Sequence, residues 1–130
     1  MEKQTSDSNI HYMGLIQDSE VIKTGLLQAD ILVCPSYSEG MPTVILEAMA
    51  CGCAIIATDV GAVNTMVDKH NGWLIEGNIE QGLEIAIKDA LSIGFSELHE
   101  KKIVSINRVK ANFTWEHVIT QTIAEIAKRF

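Results

Sequence analysis

Short apolar runs alternate with longer segments of helical spacing along this chain of 130 residues. The short runs predict β-strands at residues 10–13, 31–34, 54–57 and 73–75. Apolar residues recur at the spacing of amphipathic helices within residues 18–29, 43–50, 62–67, 79–93, 96–113 and 115–126. Strands that alternate with helices form βαβ units. We therefore predict an α/β fold with a parallel, Rossmann-like sheet of about four strands covered by helices.

Polar residues with short side chains mark the predicted helix starts, since their oxygen atoms accept hydrogen bonds from first-turn N–H groups. These residues are Asp18, Asn78, Ser96 and Thr114. Residues 31–34 and 54–57 are apolar without alternation, which is typical of parallel strands covered on both faces. Residues 1–9 are polar and predict a flexible N-terminus, so we expect one domain over residues 10–130.

The turn between the predicted strand at residues 31–34 and the following helix has the composition of a binding site. Gly40 allows the chain to pass close to a ligand. Pro42 suits the first helical position, where its missing N–H group is not needed. The N–H groups of Thr43 and Val44 then lie at the helix N-terminus, where the helix dipole favours an anion such as phosphate.

Two glutamates flank this turn, Glu39 in the loop and Glu47 within the helix. Two acceptors of neighbouring hydroxyl groups, with an anion between them, match a sugar–phosphate–ribose ligand better than a metal ion or a peptide. A purely structural interpretation also remains open, in which Glu39 is a solvated loop residue and Glu47 bonds a buried hydroxyl or arginine. Loops at Gly14, residues 36–40 and residues 58–61 follow predicted strands, so we expect them to share one rim of the sheet.

Composition narrows the choice of partner and compartment. A net charge of −7, without a cluster among the 10 lysines and arginines, argues against nucleic-acid binding. An odd number of cysteines, 3, favours a reducing, cytoplasmic location over a disulfide framework. Cys51 and Cys53 alone make a poor zinc site. No apolar run has the length of a membrane span, and the first residues lack the apolar core of a signal peptide.

Residues 29–52, including Glu39 and Glu47 in a Glu-x7-Glu motif, resemble the donor-binding domain of group 1 (GT4-type) glycosyltransferases. Residues 57–61, 71–74 and 113–116 extend the resemblance toward the C-terminus. It implies part of the C-terminal domain of a GT-B-fold retaining enzyme. Such an enzyme transfers a sugar from a UDP- or GDP-linked donor in polysaccharide or glycoconjugate biosynthesis, and the resemblance implies that no metal ion or other cofactor is needed.

The resemblance also implies roles for individual residues. Glu39 would be the catalytic residue and would contact the sugar hydroxyls, while Glu47 would hold the ribose hydroxyls. Ser36 would border the donor site, and Gly14 and Leu15 would approach the base. The turn at the sugar and diphosphate would be formed by Gly40, Met41, Pro42, Thr43 and Val44.

The chain departs from the family pattern in ways that lead to further expectations. Members of the family carry an acceptor domain, two further strands and a basic pair in the part that precedes the region of resemblance. We expect no lysine or arginine near the motif, with Lys23 on a preceding helix and Lys69 in a distant turn. The isolated chain should therefore bind a donor without catalysing transfer. An exposed sheet edge should pair with a missing N-terminal half or in a homodimer, and the full-length enzyme is expected to be cytoplasmic or membrane-associated.

Three functions fit these residues. The first is a donor-binding part of a glycosyltransferase, and the second is a regulatory module that retains nucleotide affinity without catalysis. The third is a structural domain in which both glutamates are packing partners.

Overall fold

A computed structural model describes residues 8–114, 116–117, 123–124 and 126–128 of the chain. Helices and strands alternate through most of this region. Their order is α1 (Ser19–Gln28), β1 (Ile31–Cys34), α2 (Thr43–Ala50), β2 (Ala54–Thr58), α3 (Val63–Met66), β3 (Gly72–Ile75), α4 (Ile79–Ser92) and α5 (Phe95–Asn112).

The sheet of the described residues has three parallel strands in the order β1-β2-β3. Ile31 of β1 pairs with Ala54 of β2, and Thr58 at the end of β2 pairs with Ile75 of β3. All three strands therefore end at one edge of the sheet, which positions the loops that follow them. The predicted α/β fold with a parallel sheet is confirmed.

The prediction of a strand at residues 10–13 is wrong, because this segment forms neither a strand nor a helix. Ile10, Tyr12 and Met13 are each more than half exposed. A strand needs a neighbour on the hydrogen-bonding edge and a surface to cover one face. Among the described residues the sheet consists of β1, β2 and β3, so residues 10–13 are not part of it.

The core lies on both faces of the central strand β2, whose five residues are all buried. On one face, Ile55 and Ala57 pack with Ile45, Ala48 and Met49 of α2. Helix α3 contributes Val63 and Met66 to the same cluster, and Val109 and Phe113 from the end of α5 pack against it. On the other face, α4 covers Ile56 and Ile75. The helices thus form two layers around one sheet.

Strand β1 is less covered than its apolar sequence predicts. Its residues are half-buried, except that Val33 is 44% exposed. The prediction of burial on both faces is confirmed for β2 and wrong for β1. The two strands differ in burial because of their positions in the sheet. Strand β2 has a strand on each side, whereas β1 lies at the edge.

Three predicted caps accept the expected hydrogen bond, among them Thr114, which accepts one from the His117 N–H group at 3.4 Å, and two boundaries differ. Asp18 accepts a hydrogen bond from the Glu20 N–H group at 2.9 Å, and Asn78 accepts one from Gln81 at 3.0 Å. Pro42 is the N-cap residue of α2 rather than its first helical residue. Helix α5 begins at Phe95 after the N-cap Gly94, so the predicted cap Ser96 lies inside its first turn.

The fully buried residues of α4 are alanines, and of the predicted apolar positions Leu83 packs against the same cluster. Ala86 and Ala90 are buried, whereas Ile87 is 38% exposed and Leu91 is 80% exposed. The helix approaches the sheet closely, since a Cβ atom on Gly82 would lie 2.7 Å from Cγ2 of Ile75. A side chain at position 82 would not fit at that separation.

Some predictions for the two ends of the chain lie outside the described residues. These concern residues 1–7 and, in the last predicted helix, Trp115, Val118 and Ile119. The same prediction placed Ile123 and Ile126 on an inward face, yet they are 62% and 52% exposed. That part of the prediction is wrong, because helical spacing alone does not show which face meets a core.

Arg108 of α5 fixes the loop between α3 and β3. Its guanidinium donates to both carboxylate oxygens of Asp68 at 3.2 and 3.1 Å, and to the Asn71 side-chain oxygen at 3.1 Å. Asn71 is completely buried and donates in turn to the Met66 carbonyl at 3.0 Å. Burial alone would raise the pKa of Asp68, but the His70 N–H group and Arg108 outweigh it and lower that pKa below its ordinary value of 3.8.

This shift predicts an acid-dependent stability. Because the pKa of Asp68 is lower in the folded chain, its stabilising effect is complete above the unfolded value and is lost as the pH falls through the folded value. In Asp68→Asn we expect a lower Tm at neutral pH and a shallower fall between about pH 5 and about pH 2. Thermal unfolding over this range checks the prediction, with Asp89→Asn, at an exposed position of α4, as the control. Parallel curves for wild type and Asp68→Asn would contradict the prediction.

Candidate functional site

The loop from β1 to α2 brings the start of α2 to the edge where the strands end. Pro42 is buried and has extended backbone angles, with φ −72° and ψ 108°, so the helix starts at Thr43. Thr43 and Val44 are in the first turn and therefore have no carbonyl partner within the helix for their N–H groups. Both residues are exposed. The arrangement offers a partial positive charge to an anion.

Glu39 is half-buried in this loop and is held by its neighbour Ser36. The Ser36 hydroxyl donates to Oε1 of Glu39 at 2.9 Å. On its other side the same hydroxyl oxygen lies 3.5 Å from the sulfur of Cys34, the last residue of β1. The resemblance placed Ser36 at the border of the donor site. In the structure its hydroxyl donates a hydrogen bond to Glu39, the carboxylate that was predicted to bind the sugar.

The loop after β2 packs directly on the backbone of Glu39 and Gly40. The Ala62 N–H group donates to the Gly40 carbonyl at 2.8 Å. Gly61 has φ +54°, and a Cβ atom there would lie 2.0 Å from the Glu39 carbonyl oxygen. Only glycine permits this contact, so Gly61 keeps the two loops together. The predicted rim is formed by the loops at residues 36–40 and 58–61.

Gly14 and Leu15 are less closely associated with this rim. Leu15 is 87% exposed, and a Cβ atom on Gly14 would meet no atom within 4 Å. Gln17 and Ser19, a little further along, line the groove described next. The role of Gly14 and Leu15 at a base stays a prediction.

Glu47 is exposed and lines a groove of about 580 Å³ between α1 and α2. The volume is in the range of small-molecule sites. Apolar side chains and a few polar ones share the lining: Gln17, Ser19, Ile22, Lys23, Leu26, Leu27, Glu47, Ala50 and Cys51. The carboxylate of Glu47 is therefore accessible from an open groove rather than sealed in the core.

Lys23 lies in the same groove, which corrects the expectation that no basic residue is near the motif. Sequence separation hid this proximity. Helix α1 packs on α2, so residues far apart in the chain face each other across the groove. The groove thus carries one positive and one negative side chain among its described lining residues, at Lys23 and Glu47.

A second groove, of about 450 Å³, lies between β3 and α4 and shares no lining residue with the first. Trp73 forms part of it, and the Lys101 ammonium lies 5.0 Å from the centre of the Trp73 ring. The ring is therefore covered on one side by a cation that packs α5 against β3.

The cysteines near α2 are not grouped with other metal-binding side chains. Cys53 is fully buried, and its thiol lies 3.3 Å from the Leu26 carbonyl, to which it donates. Burial raises the pKa of that thiol, with a further rise from Cys51. Among residues 8–114 and the other described positions, no three His, Cys, Asp or Glu side chains are placed to hold a metal ion. None of the described helices combines the length and the apolar character that a membrane span requires.

Comparison with known families gives this geometry a context. The family model for glycosyl transferases group 1 matches residues 1–92, which is most of the chain. This chain belongs to the group 1 glycosyltransferases. The resemblance stated from the Glu-x7-Glu motif is thereby confirmed.

Curated relatives of this group 1 glycosyltransferase chain include enzymes of several pathways. It is 48% identical over 66 residues to the putative teichuronic acid biosynthesis glycosyltransferase TuaC of Bacillus subtilis, covering 51% of the chain and 17% of that protein. It is 35% identical over 97 residues to a D-inositol 3-phosphate glycosyltransferase of Jonesia denitrificans, covering 74% of the chain and 22% of the relative. The chain thus spans about a fifth of the length of these relatives.

Solved structures agree with the fold. The C-terminal domain of a group 1 glycosyl transferase (LpcC) from Francisella tularensis matches with a TM-score of 0.66 and 34% identity, over 79% of this chain and 53% of that one. Sucrose-phosphate synthase from Thermosynechococcus elongatus matches with a TM-score of 0.64 and 30% identity, over 78% of this chain and 25% of that one. The GT-B assignment is confirmed at the level of one domain.

Replacing Gly61 by alanine tests the contact that joins the two loops. The Cβ atom would meet the Glu39 and Gly40 carbonyl oxygens at 2.0 and 2.5 Å. Steric overlap and the left-handed backbone together should lower the free energy of unfolding by about 2–5 kcal/mol. Denaturant unfolding measures the loss.

Gly77→Ala is the matched control for this change. Gly77 has φ +70°, and a Cβ atom at this position would meet nothing within 4 Å, so only the backbone cost of about 1–2 kcal/mol should remain. Equal losses in the two variants would show that the contact with Glu39 contributes nothing.

Proposed function

We propose that this chain is the donor-binding part of a retaining glycosyltransferase and that it binds a UDP- or GDP-linked sugar. The observation that carries the proposal is that the exposed N-terminus of α2 lies between Glu39 and Glu47 along the chain, with Glu47 lining an open groove. A site with a positive centre and two flanking carboxylates matches a ligand with a negative centre and hydroxyl groups at both ends. Nucleotide sugars have that arrangement.

The diphosphate is assigned to the start of α2. Its oxygens accept hydrogen bonds from the N–H groups of Met41, Thr43 and Val44, and the helix dipole adds a favourable field. Lys23 lines the groove of Glu47, beyond the first turn of α2, and adds one positive charge to the site. Backbone donors and one lysine replace a divalent cation in this scheme, so donor binding is proposed to be independent of metal.

The two ends of the ligand are assigned to the glutamates. Glu39 accepts from a hydroxyl of the sugar, in a turn formed by Gly40 and Pro42, while Glu47 accepts from the ribose hydroxyls. Ionised carboxylates form stronger hydrogen bonds than neutral acceptors do. The apolar side chains of Ile22, Leu26 and Leu27 in the Glu47 groove provide a surface for the base.

Sugar transfer itself is proposed to require further parts of the enzyme. Electrostatic stabilisation of the departing diphosphate is a large part of catalysis, and a single flexible lysine supplies less than a basic pair. Relatives named for teichuronic acid and inositol phosphate indicate that acceptors differ within the family. We place this chain in polysaccharide or glycoconjugate biosynthesis in the cytoplasm, with acceptor binding outside these residues.

Calorimetry with UDP, GDP and their glucose and mannose conjugates tests the proposal. Glu47→Ala should weaken binding of every bound nucleotide by about tenfold or more, because a charged hydrogen bond to ribose is lost. Glu84→Ala, which removes an exposed glutamate paired with Lys88 on α4, is the matched control and should bind like wild type. Addition of EDTA should leave the affinity unchanged.

Each contrary result removes a different part of the proposal. Absence of binding at millimolar ligand would contradict donor binding as a whole. Equal affinities in wild type and Glu47→Ala would contradict the ribose assignment, and loss of affinity in EDTA would contradict metal independence.

The open edge of β1 is proposed to pair with another polypeptide. In a longer enzyme the additional strands of the domain would occupy it, and in the isolated chain a second copy would do so. Edge strands with unpaired N–H and C=O groups readily pair in this way. The uncovered Val33 and the exposed apolar residues Ile10 and Met13 support this assignment.

Val33→Lys should weaken self-association of the isolated chain, because a charge on an edge strand opposes pairing. Sedimentation equilibrium should give a dissociation constant raised by about tenfold or more. Leu91→Lys, at a position 80% exposed on α4, is the control. A wild-type chain that stays monomeric at high concentration would contradict the dimer.

A further inference from the structure

A run of hydrogen bonds leads from the end of β1 to the carboxylate of Glu39. The Ser36 hydroxyl donates to Oε1 of Glu39 at 2.9 Å. A serine hydroxyl has one hydrogen atom, which this bond uses. In the 3.5 Å contact between Cys34 Sγ and Ser36 Oγ, the thiol must therefore be the donor. The order is thiol to hydroxyl to carboxylate.

The backbone of Glu39 is held by separate contacts. Gly61 lies against the Glu39 carbonyl, and the Ala62 N–H group donates to the Gly40 carbonyl at 2.8 Å. Side chain and main chain of Glu39 are thus fixed from two different loops. A glutamate in an exposed loop without such contacts would sample several rotamers.

We propose that Ser36 is a positioning residue for Glu39, and that it orients the carboxylate so that Oε2 accepts a hydroxyl of the donor sugar. The inference rests on the proposed donor-binding function and deepens it. In this proposal the Ser36 hydroxyl donates to Glu39 and does not contact the ligand, and the Cys34 thiol donates to Ser36. The sugar is then recognised by an acceptor whose direction is set before binding.

The energetic reason is the cost of ordering a glutamate side chain. A side chain that is already ordered loses little rotamer freedom when the ligand arrives, so more of the hydrogen-bond energy appears as affinity. The thiol and hydroxyl in series polarise one another and strengthen the bond to the carboxylate. Both effects act at the sugar, because the nucleoside diphosphate contacts α2 and Glu47 and not Glu39.

The test compares ligands with and without the sugar. Dissociation constants of UDP-glucose against UDP, and of GDP-mannose against GDP, are measured by calorimetry on the full 130-residue chain. The variants are Ser36→Ala, Ser36→Thr, Glu39→Gln and the double variant Ser36→Ala/Glu39→Gln. Ser96→Ala, an exposed serine on α5, is the matched control.

The comparison uses whichever pair of ligands, uridine or guanosine, binds the wild-type chain more tightly. For that pair, Ser36→Ala should weaken binding of the nucleotide sugar by about tenfold and binding of the nucleoside diphosphate by less than about twofold. Ser36→Thr keeps the hydroxyl and should restore most of the difference. The double variant should bind the sugar no more weakly than Glu39→Gln alone, because Ser36 acts only through that carboxylate. Ser96→Ala should match wild type.

Other results would overturn the inference. An equal loss for both ligands in Ser36→Ala would reveal a structural role of the strand end, and an unchanged ratio of affinities would exclude positioning. Additive losses in the double variant would mean that Ser36 contacts the ligand directly. If the wild-type chain bound neither ligand, the proposed function would be wrong and the inference would be overturned with it.

Discussion

Parallel pairing of β2 with β1 and β3 is the constraint on which the rest of the structure depends. It places the ends of all three strands at one edge, so the loops after β1 and β2 meet there. Their contact is close enough that Gly61 has no room for a side chain. Burial of β2 on both faces, under α2 on one side and α4 on the other, keeps this pairing in place. The order of the strands therefore determines where the loops of the candidate site lie, and the individual side chains act within that arrangement.

The two ends of the sheet are stabilised to different degrees. At β3, helix α4 packs closely through Ala86 and Ala90, and Arg108 joins α5 to the preceding loop. At β1, no strand within the described part of the chain covers the outer edge, and α1 has no buried residue. The loop that carries Glu39 follows this less covered strand.

Local patterns in the sequence predicted the elements that depend on local physics. Asp18 and Asn78 cap their helices as their side-chain chemistry requires, and the apolar run at β2 is buried on both faces. The predictions that are wrong concern features that depend on packing against other elements of the fold. Residues 10–13 have the composition of a strand but do not join the described sheet, and Leu91 has helical spacing but faces away from the sheet.

The candidate site was predictable to the same extent. Glu39, Pro42 and Glu47 stand out in one continuous stretch, and the resemblance to the group 1 family depended on that stretch. Lys23 enters the site through tertiary packing, and the sequence predicts the loop of Gly61 on the rim but not its contact with the Glu39 carbonyl. Ser36 stands out in the sequence for its place beside the motif, but only the folded structure shows that its hydroxyl is used by Glu39.

Helix α2, which carries Glu47, packs against residues that lie much later in the sequence and are therefore synthesised after it. Helix α2 packs on α5, and a Cβ atom on Gly52, at the end of α2, would lie 3.2 Å from Ile106 of α5. During synthesis on the ribosome, α2 and the glutamates emerge long before that supporting surface exists. Domains fold as cooperative units during translation. The core behind α2 would consequently be completed late, once residues near Phe113 have left the exit tunnel.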